Sequence, residues 1–277
     1  MVFRLPKGTL AMFNTTRFKQ DLILFLAFMS LLFLIYTGIY VVAPFDGIGN
    51  DLVLNLLYLF FSGYPIILLW GLLRYYDSSE APRLIWLHFL VGFGLFFIGD
   101  SIWAVLNMTV GEVSSFSIAD PLYLLGYVFL FIGLFQQHRL IFLFSKRRLA
   151  IYTSLSYLLA IGCATGLTFW YAGAFDIASF LEYLYPFLDL SLALIALYLV
   201  RTFGQGWLSR PFWGFIALFL ADVIYAASLQ SGQYAFSVSQ DNLIRLLSDT
   251  VYNIAYIVFA LGFWWQYMVL KLDAESA

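Results

Sequence analysis

One cysteine, two histidines and a charged fraction of 11% leave this 277-residue chain short of the side chains on which most enzyme centres are built. Cys163 is alone and lies inside an apolar run, so disulfides and cysteine-based metal sites are excluded. His88 and His138 are too few for a four-histidine di-haem bundle, a histidine-rich desaturase centre or a multi-histidine membrane metallohydrolase. No Gly-x-Ser-x-Gly elbow or phosphate-binding glycine loop occurs. The last apolar run has no lysine at its middle, which argues against a retinal Schiff base. The net charge of −2 gives no footprint for nucleic acid. The expectation is therefore a protein that is not an enzyme, and the sequence names no cofactor.

What is present is grease. Hydrophobic residues make up 63% of the chain, including 30 phenylalanines, 19 tyrosines and eight tryptophans. Soluble domains are nearer half apolar and a quarter charged. Runs of 20 or more mostly apolar residues recur, each long enough to cross a hydrocarbon core of roughly 30 Å. They predict an all-α, polytopic membrane protein whose first obligate partner is the lipid bilayer. Eight spans are expected, at about 21–43, 51–75, 84–107, 120–144, 149–172, 177–201, 210–230 and 249–270. Pro44, Pro82, Pro121 and Pro211 fall at span edges, where proline starts or stops a helix. The first run is too long for the core of a cleavable signal peptide and reads as a signal anchor.

Basic residues orient the spans. Arg4, Lys7, Arg17, Lys19, Arg74, Arg83, Arg139, Lys146, Arg147, Arg148, Arg201, Arg210 and Lys271 all fall on one side, which is 13 of the 14 in the chain. The positive-inside rule makes that side cytoplasmic, with tails at 1–20 and 271–277 and localisation to the plasma membrane. Only Arg245 lies apart.

The spans also repeat. Asp100, Trp103 and Ala104 of "GDSIWAV" match Asp222, Tyr225 and Ala226 of "ADVIYAA". "DPLYLLGYVFLFIG" from Asp120 and "DTVYNIAYIVFALG" from Asp249 share Asp-x2-Tyr-x3-Tyr-x5-Gly, followed by Gln137 and Gln266. Tyr64-Pro65 and Tyr185-Pro186 precede each pair. These matches predict two tandem four-helix units of the same orientation, at 21–144 and 149–270.

Intramembrane carboxylates are the functional signal. At the helical rise, Asp100 and Asp222 lie roughly 10 Å below the outer edge, and Asp189 falls at a comparable level. Each costs roughly 2.5–3.5 kcal/mol to insert, so each is expected to face the protein interior. They either tie helices together through tyrosines or hold a ligand or ion. Asp189 has no carboxylate match, since Leu68 occupies its place, and that asymmetry favours a site. The ligand-binding set expected is Asp100, Asp189 and Asp222 as floor, with Trp103, Tyr185 and Tyr225 as walls. Arg245, in "SQDNLIRLLS", is either ion-paired to Asp241 or Asp249 at four-residue spacing or a lid charge on a short interfacial helix. Asp120 and Asp249 are expected to cap spans four and eight. Gly162 and Gly166 form a G-x3-G suited to packing within the monomer or to a homodimer.

Through "GDSIWAV", "ADPLYLLGY", "YPFLD", "ADVIYAA" and "SDTVYNIAY", residues 64–262 resemble the multi-helix membrane segments at the N-termini of bacterial signalling proteins. In those proteins the segments precede diguanylate cyclase or histidine kinase output domains. The resemblance implies a membrane-embedded sensor. Here "LDAESA" follows Lys271 and no output domain is expected, so signalling would pass to a protein partner in the membrane or cytoplasm. A proton-coupled carrier and an accessory subunit of a larger membrane complex are the rival readings.

Overall fold

The computed structural model describes residues 16–110, 116–142, 146–204, 207–231, 233–234 and 243–276. All regular structure among them is helical: α1 (Thr16–Val42), α2 (Gly47–Leu73), α3 (Ala81–Val110), α4 (Asp120–Phe142), α5 (Lys146–Ala172), α6 (Ile177–Phe203), a 3-10 turn (Trp207–Phe212), α7 (Trp213–Gln230) and α8 (Leu243–Ser276). Pro44 follows α1, Pro82 and Pro121 sit at the second position of α3 and α4, and Pro211 lies in the 3-10 turn ahead of α7. Each occupies a place where a missing backbone N–H costs little. Asp46 caps α2 through Gly49 N–H at 2.8 Å, and Asp176 caps α6 through Ser179 N–H at 2.8 Å. Gly204, at φ +63°, ends α6 in the left-handed region.

Six helical segments are long and apolar enough to cross a bilayer: α1, α2, α3, α6, the 3-10 turn with α7 (Ser209–Leu229), and α8. Large apolar side chains also cover the outside, among them Leu34, Ile48, Ile67 and Trp170, the last 82% exposed. These are the properties of a multi-pass membrane protein. The helices α4 and α5 are not among the six. The last turns of α4 carry Gln136, Gln137, His138 and Arg139, and the sequence of α5 opens on Lys-Arg-Arg. Two boundaries also differ from expectation: α8 runs through Lys271 to Ser276, and α1 starts at Thr16. Arg17 there donates to Glu275 at 2.9 Å, which brings the beginning of α1 and the end of α8 to one side of the bundle.

The interhelical packing falls into pairs. The contact of α3 with α4 is matched by α7 with α8, and α2 with α3 by α6 with α7, whereas α5 packs on α6 far more extensively than α1 does on α2. Across the middle, α2 packs on α8 and α6 on α4, the latter less extensively. At the centre, Phe93 and Phe215 face each other with ring centroids 6.3 Å apart, and Phe259 sits edge-on to both at 4.6 and 4.8 Å. Glycines permit the closest approaches. A Cβ on Gly262 would lie 2.5 Å from the Pro211 backbone, and one on Gly214 would lie 2.4 Å from the Phe259 ring. Gly162 and Gly166 differ: nothing lies within 4 Å of a Cβ on either, so this G-x3-G makes no close packing with the described residues of the monomer.

Candidate functional site

Asp100 lies on α3 one residue after Gly99, and the lack of a side chain there lets the Tyr123 ring lie against the helix. Tyr123 of α4 donates to Asp100 Oδ1 at 2.9 Å, and Tyr256 of α8 donates to Oδ2 at 3.0 Å. Asp222 on α7 is held in the same way. Tyr252 of α8 donates to its Oδ1, and Tyr127 of α4 to its Oδ2 at 3.5 Å. Each aspartate therefore takes the first tyrosine of one Asp-x2-Tyr-x3-Tyr motif and the second tyrosine of the other. Both tyrosines of a motif lie on one helix face, because residues three and seven past its aspartate share that face. The tyrosines were recognisable as lying on one face with Asp120 or Asp249. That they serve the neighbouring helix's aspartate was not.

Asp120 does act at a helix start, as expected, but as the fourth residue of a Ser-x-x-Asp capping box and not as the cap itself. Its Oδ2 accepts from Ser117 N–H at 2.5 Å and Ser117 Oγ at 3.2 Å, while Ser117 Oγ accepts from Ala119 N–H at 3.2 Å. Its free oxygen accepts from Tyr185 Oη on α6 at 2.5 Å. The capping role expected of Asp249 is not found. The helix α8 already runs from Leu243, so Asp249 sits in its second turn. Tyr36 of α1 and Tyr234 each donate to Asp249 at 3.3 Å, and Arg245 Nε donates at 3.4 Å.

Arg245 is likewise no lid on a separate interfacial helix. It belongs to the first turn of α8, is 4% exposed, and also stands 3.9 Å from Asp51 on α2. The i,i+4 ion pair to Asp249 is the expectation that holds. Asp241, the other partner considered, lies outside the described residues.

These side chains surround a cavity of about 210 Å³ inside the bundle. Of the residues expected to form a site, Asp100, Trp103, Tyr185, Asp222, Tyr225 and Arg245 line it. Asp120, Glu182, Asp249 and a ring of further tyrosines line it too and were not assigned to it from sequence. Their signal was available, since Asp120 and Asp249 repeat just as Asp100 and Asp222 do. Asp189 is not in the lining. It is 1% exposed, sits behind the wall beside Asp222 and Tyr127, and neither oxygen has a hydrogen-bond donor of good geometry among the described residues. Among the described residues no three acidic, histidine or cysteine side chains converge as a metal site.

The cavity closes on one side. One and two turns beyond Asp100 stand Phe96 and Phe93, and Leu218 and Phe215 hold the same places on α7. With Phe89, Phe259 and Phe263 they fill the next layer with buried rings. Stacked Tyr127 and Tyr185, 6.0 Å apart, make the wall at the less extensive α4–α6 packing, and Tyr58 meets Tyr256 edge-on at 5.9 Å on the opposite side. No protein family, no characterised protein and no solved structure matches this chain.

Proposed function

We propose that this protein is a non-enzymatic ligand-binding or sensory module of the plasma membrane. In this reading eight spans form two tandem four-helix repeats of one orientation, with both termini in the cytoplasm. Its ligand occupies the acidic, aromatic cavity in the outer half, and the signal leaves through a protein partner. The observation that carries the reading is the cavity itself: a partly open space inside the helix bundle, walled by carboxylates that tyrosine hydroxyls hold in place. Interhelical ties need no open space beside them, so the cavity next to these carboxylates, and not the carboxylates alone, supports a ligand. The repeat is supported by the paired helix packing and by the exchange of tyrosines between the two motifs. The orientation is supported by the basic residues on one side. The resemblance to sensor segments of bacterial signalling proteins fits an output through a partner.

A proton-coupled carrier needs a polar route through the other half of the bundle. The phenylalanine layer beneath the cavity offers none, which counts against that reading. The test is native mass spectrometry and a cryo-EM map of protein purified in mild detergent. The proposal expects a bound small molecule, with density between α3, α6 and α7. A cavity that is empty or holds only ordered water, together with stoichiometric co-purification of other membrane chains, would support the accessory-subunit reading instead.

A further inference from the structure

We propose that the cavity takes an organic ammonium ion of about eight to ten non-hydrogen atoms whose far end carries a hydrogen-bond acceptor. This rests on the reading of the cavity as a ligand site. Size sets the first limit. An engineered cavity of roughly 150 Å³ holds benzene, so about 210 Å³ accommodates a molecule somewhat larger than one aromatic ring.

Charge sets the second. The lining carries five carboxylates, on Asp100, Asp120, Glu182, Asp222 and Asp249, against the guanidinium of Arg245. That guanidinium already faces Asp249 and Asp51, so its charge is compensated within the protein. Asp100 and Asp222 each receive two tyrosine hydroxyls, and a carboxylate has about four acceptor positions. Ser62 and Tyr58 also stand beside Asp100 and Asp189 beside Asp222, so it is the excess of carboxylates in the lining that favours an ammonium group over an anion. The tyrosine faces add cation–π attraction in a space removed from water. A bare metal ion is a poorer fit, because the carboxylates ring the cavity without three of them converging.

A third feature is independent of the acids. Asn55 on α2 lines the cavity, is 7% exposed, and has an amide nitrogen with no hydrogen-bond partner among the described residues. A buried donor left unpaired is costly, so its presence in the wall points to an acceptor on the bound molecule.

The experiment uses the full chain in detergent or nanodiscs with three probes of nearly one shape: tyramine (cationic), tyrosol (neutral) and 4-hydroxyphenylacetate (anionic). Thermal unfolding and calorimetric titration are read for each. Tyramine is expected to bind and raise the unfolding temperature in a dose-dependent way, with the other two at least tenfold weaker. D222N is expected to weaken tyramine at least tenfold. Because D222N also disturbs a helix tie, Ala226→Leu serves as a second variant: it fills the cavity without removing a polar partner, and it should abolish tyramine binding in a folded protein. Equal or tighter binding of tyrosol or the anion overturns the ammonium inference while leaving the cavity a ligand site. Tyramine binding that survives Ala226→Leu overturns its placement. If no probe binds, the ammonium inference fails. The ligand-site reading fails with it only when native protein also carries no small molecule that Ala226→Leu displaces.

Discussion

Replacing Asp189 with leucine should make this protein more stable. The carboxyl is 1% exposed, neither oxygen has a donor of good geometry among the described residues, and it faces a second carboxylate, Asp222. On membrane-insertion scales an aspartate at mid-helix costs about 2.5–3.5 kcal/mol, whereas leucine gains about 0.3–0.6 kcal/mol. The difference is about 3–4 kcal/mol in favour of leucine. Against it stands the larger side chain, since overpacking typically costs about 1–3 kcal/mol. The inferred repeat limits that cost, because Leu68 holds the matching place on α2 and is itself buried. The expected net gain is about 1–2 kcal/mol.

At about 2–4 °C per kcal/mol, the unfolding temperature in detergent should rise by roughly 2–8 °C. Asp189→Asn keeps the shape and replaces the carboxyl with an amide that must still be desolvated, so it should fall between wild type and Asp189→Leu. Thermal unfolding followed by tryptophan fluorescence, with urea unfolding as a second readout, decides the matter. If both variants unfold below wild type, Asp189 makes a favourable interaction that its surroundings do not reveal, and the reasoning fails. A stabilised Asp189→Leu that loses ligand response would instead mark a residue kept for function at the expense of stability.

Tyr127→Phe and Tyr256→Phe each remove one of two donors to an aspartate, and each should cost about 0.6 kcal/mol and no more than about 1.7 kcal/mol. Tyr127→Phe with Tyr252→Phe strips both tyrosine donors from Asp222, so that pair should cost over about 1 kcal/mol more than the sum of its singles. Gly262→Ala should destabilise by about 1–3 kcal/mol because its Cβ meets the Pro211 backbone, whereas Gly162→Ala and Gly166→Ala should gain up to about 1 kcal/mol of helix propensity. Matched thermal melts test these, and a stabilising Gly262→Ala would contradict the packing at the 3-10 turn. The open Gly162–Gly166 face suits a homodimer, in which case a short bifunctional maleimide should join two copies through exposed Cys163, and monomer alone would exclude that seam. Asp176 accepts from Ser179 N–H and Oγ, which holds its carboxyl below the ordinary range. Its capping contribution is therefore fully present above pH of about 4 and lost as pH falls through the lower value, so wild type and Asp176→Ala should converge in strong acid.

The helices were legible because their signals are local. Apolar length and edge prolines placed every helix to within a few residues at most ends, with α8 the exception. Its start was drawn at Asp249, where the Asp120 analogy suggested a cap, although "LIRLL" already carries helical spacing. Asp249 thus illustrates how a repeat can mislead: the two aspartates match in sequence, while one closes a capping box with Ser117 and the other lies inside a helix. The site was partly legible for a related reason. Depth along a helix follows from residue counts, so the shared level of Asp100 and Asp222 could be read. Which way Asp189 faces depends on the rotation of α6 against α4 and α7, and this is set by packing that no single-chain pattern records.

The repeated and unrepeated residues do different work. Asp100 with Asp222, and the four tyrosines that hold them, form ties that any two-fold bundle could use, and by themselves they require no ligand. Around the cavity, Glu182, Asp189 and Arg245 are charged residues without a match, and their places in the other unit of the inferred repeat are held by Phe61, Leu68 and Phe116. Two of these three line the cavity and the third stands directly behind its wall beside Asp222. A bundle selected for stability alone would keep the apolar member at each of these places, since a phenylalanine or leucine inserts more favourably than a charge. Charges that break the inferred two-fold pattern at a cost, and gather at one cavity, are what the proposed ligand site would require. Apolar replacement at Asp189 and Glu182 should therefore alter ligand response more than it alters folding, while removal of the repeated tyrosines should do the reverse.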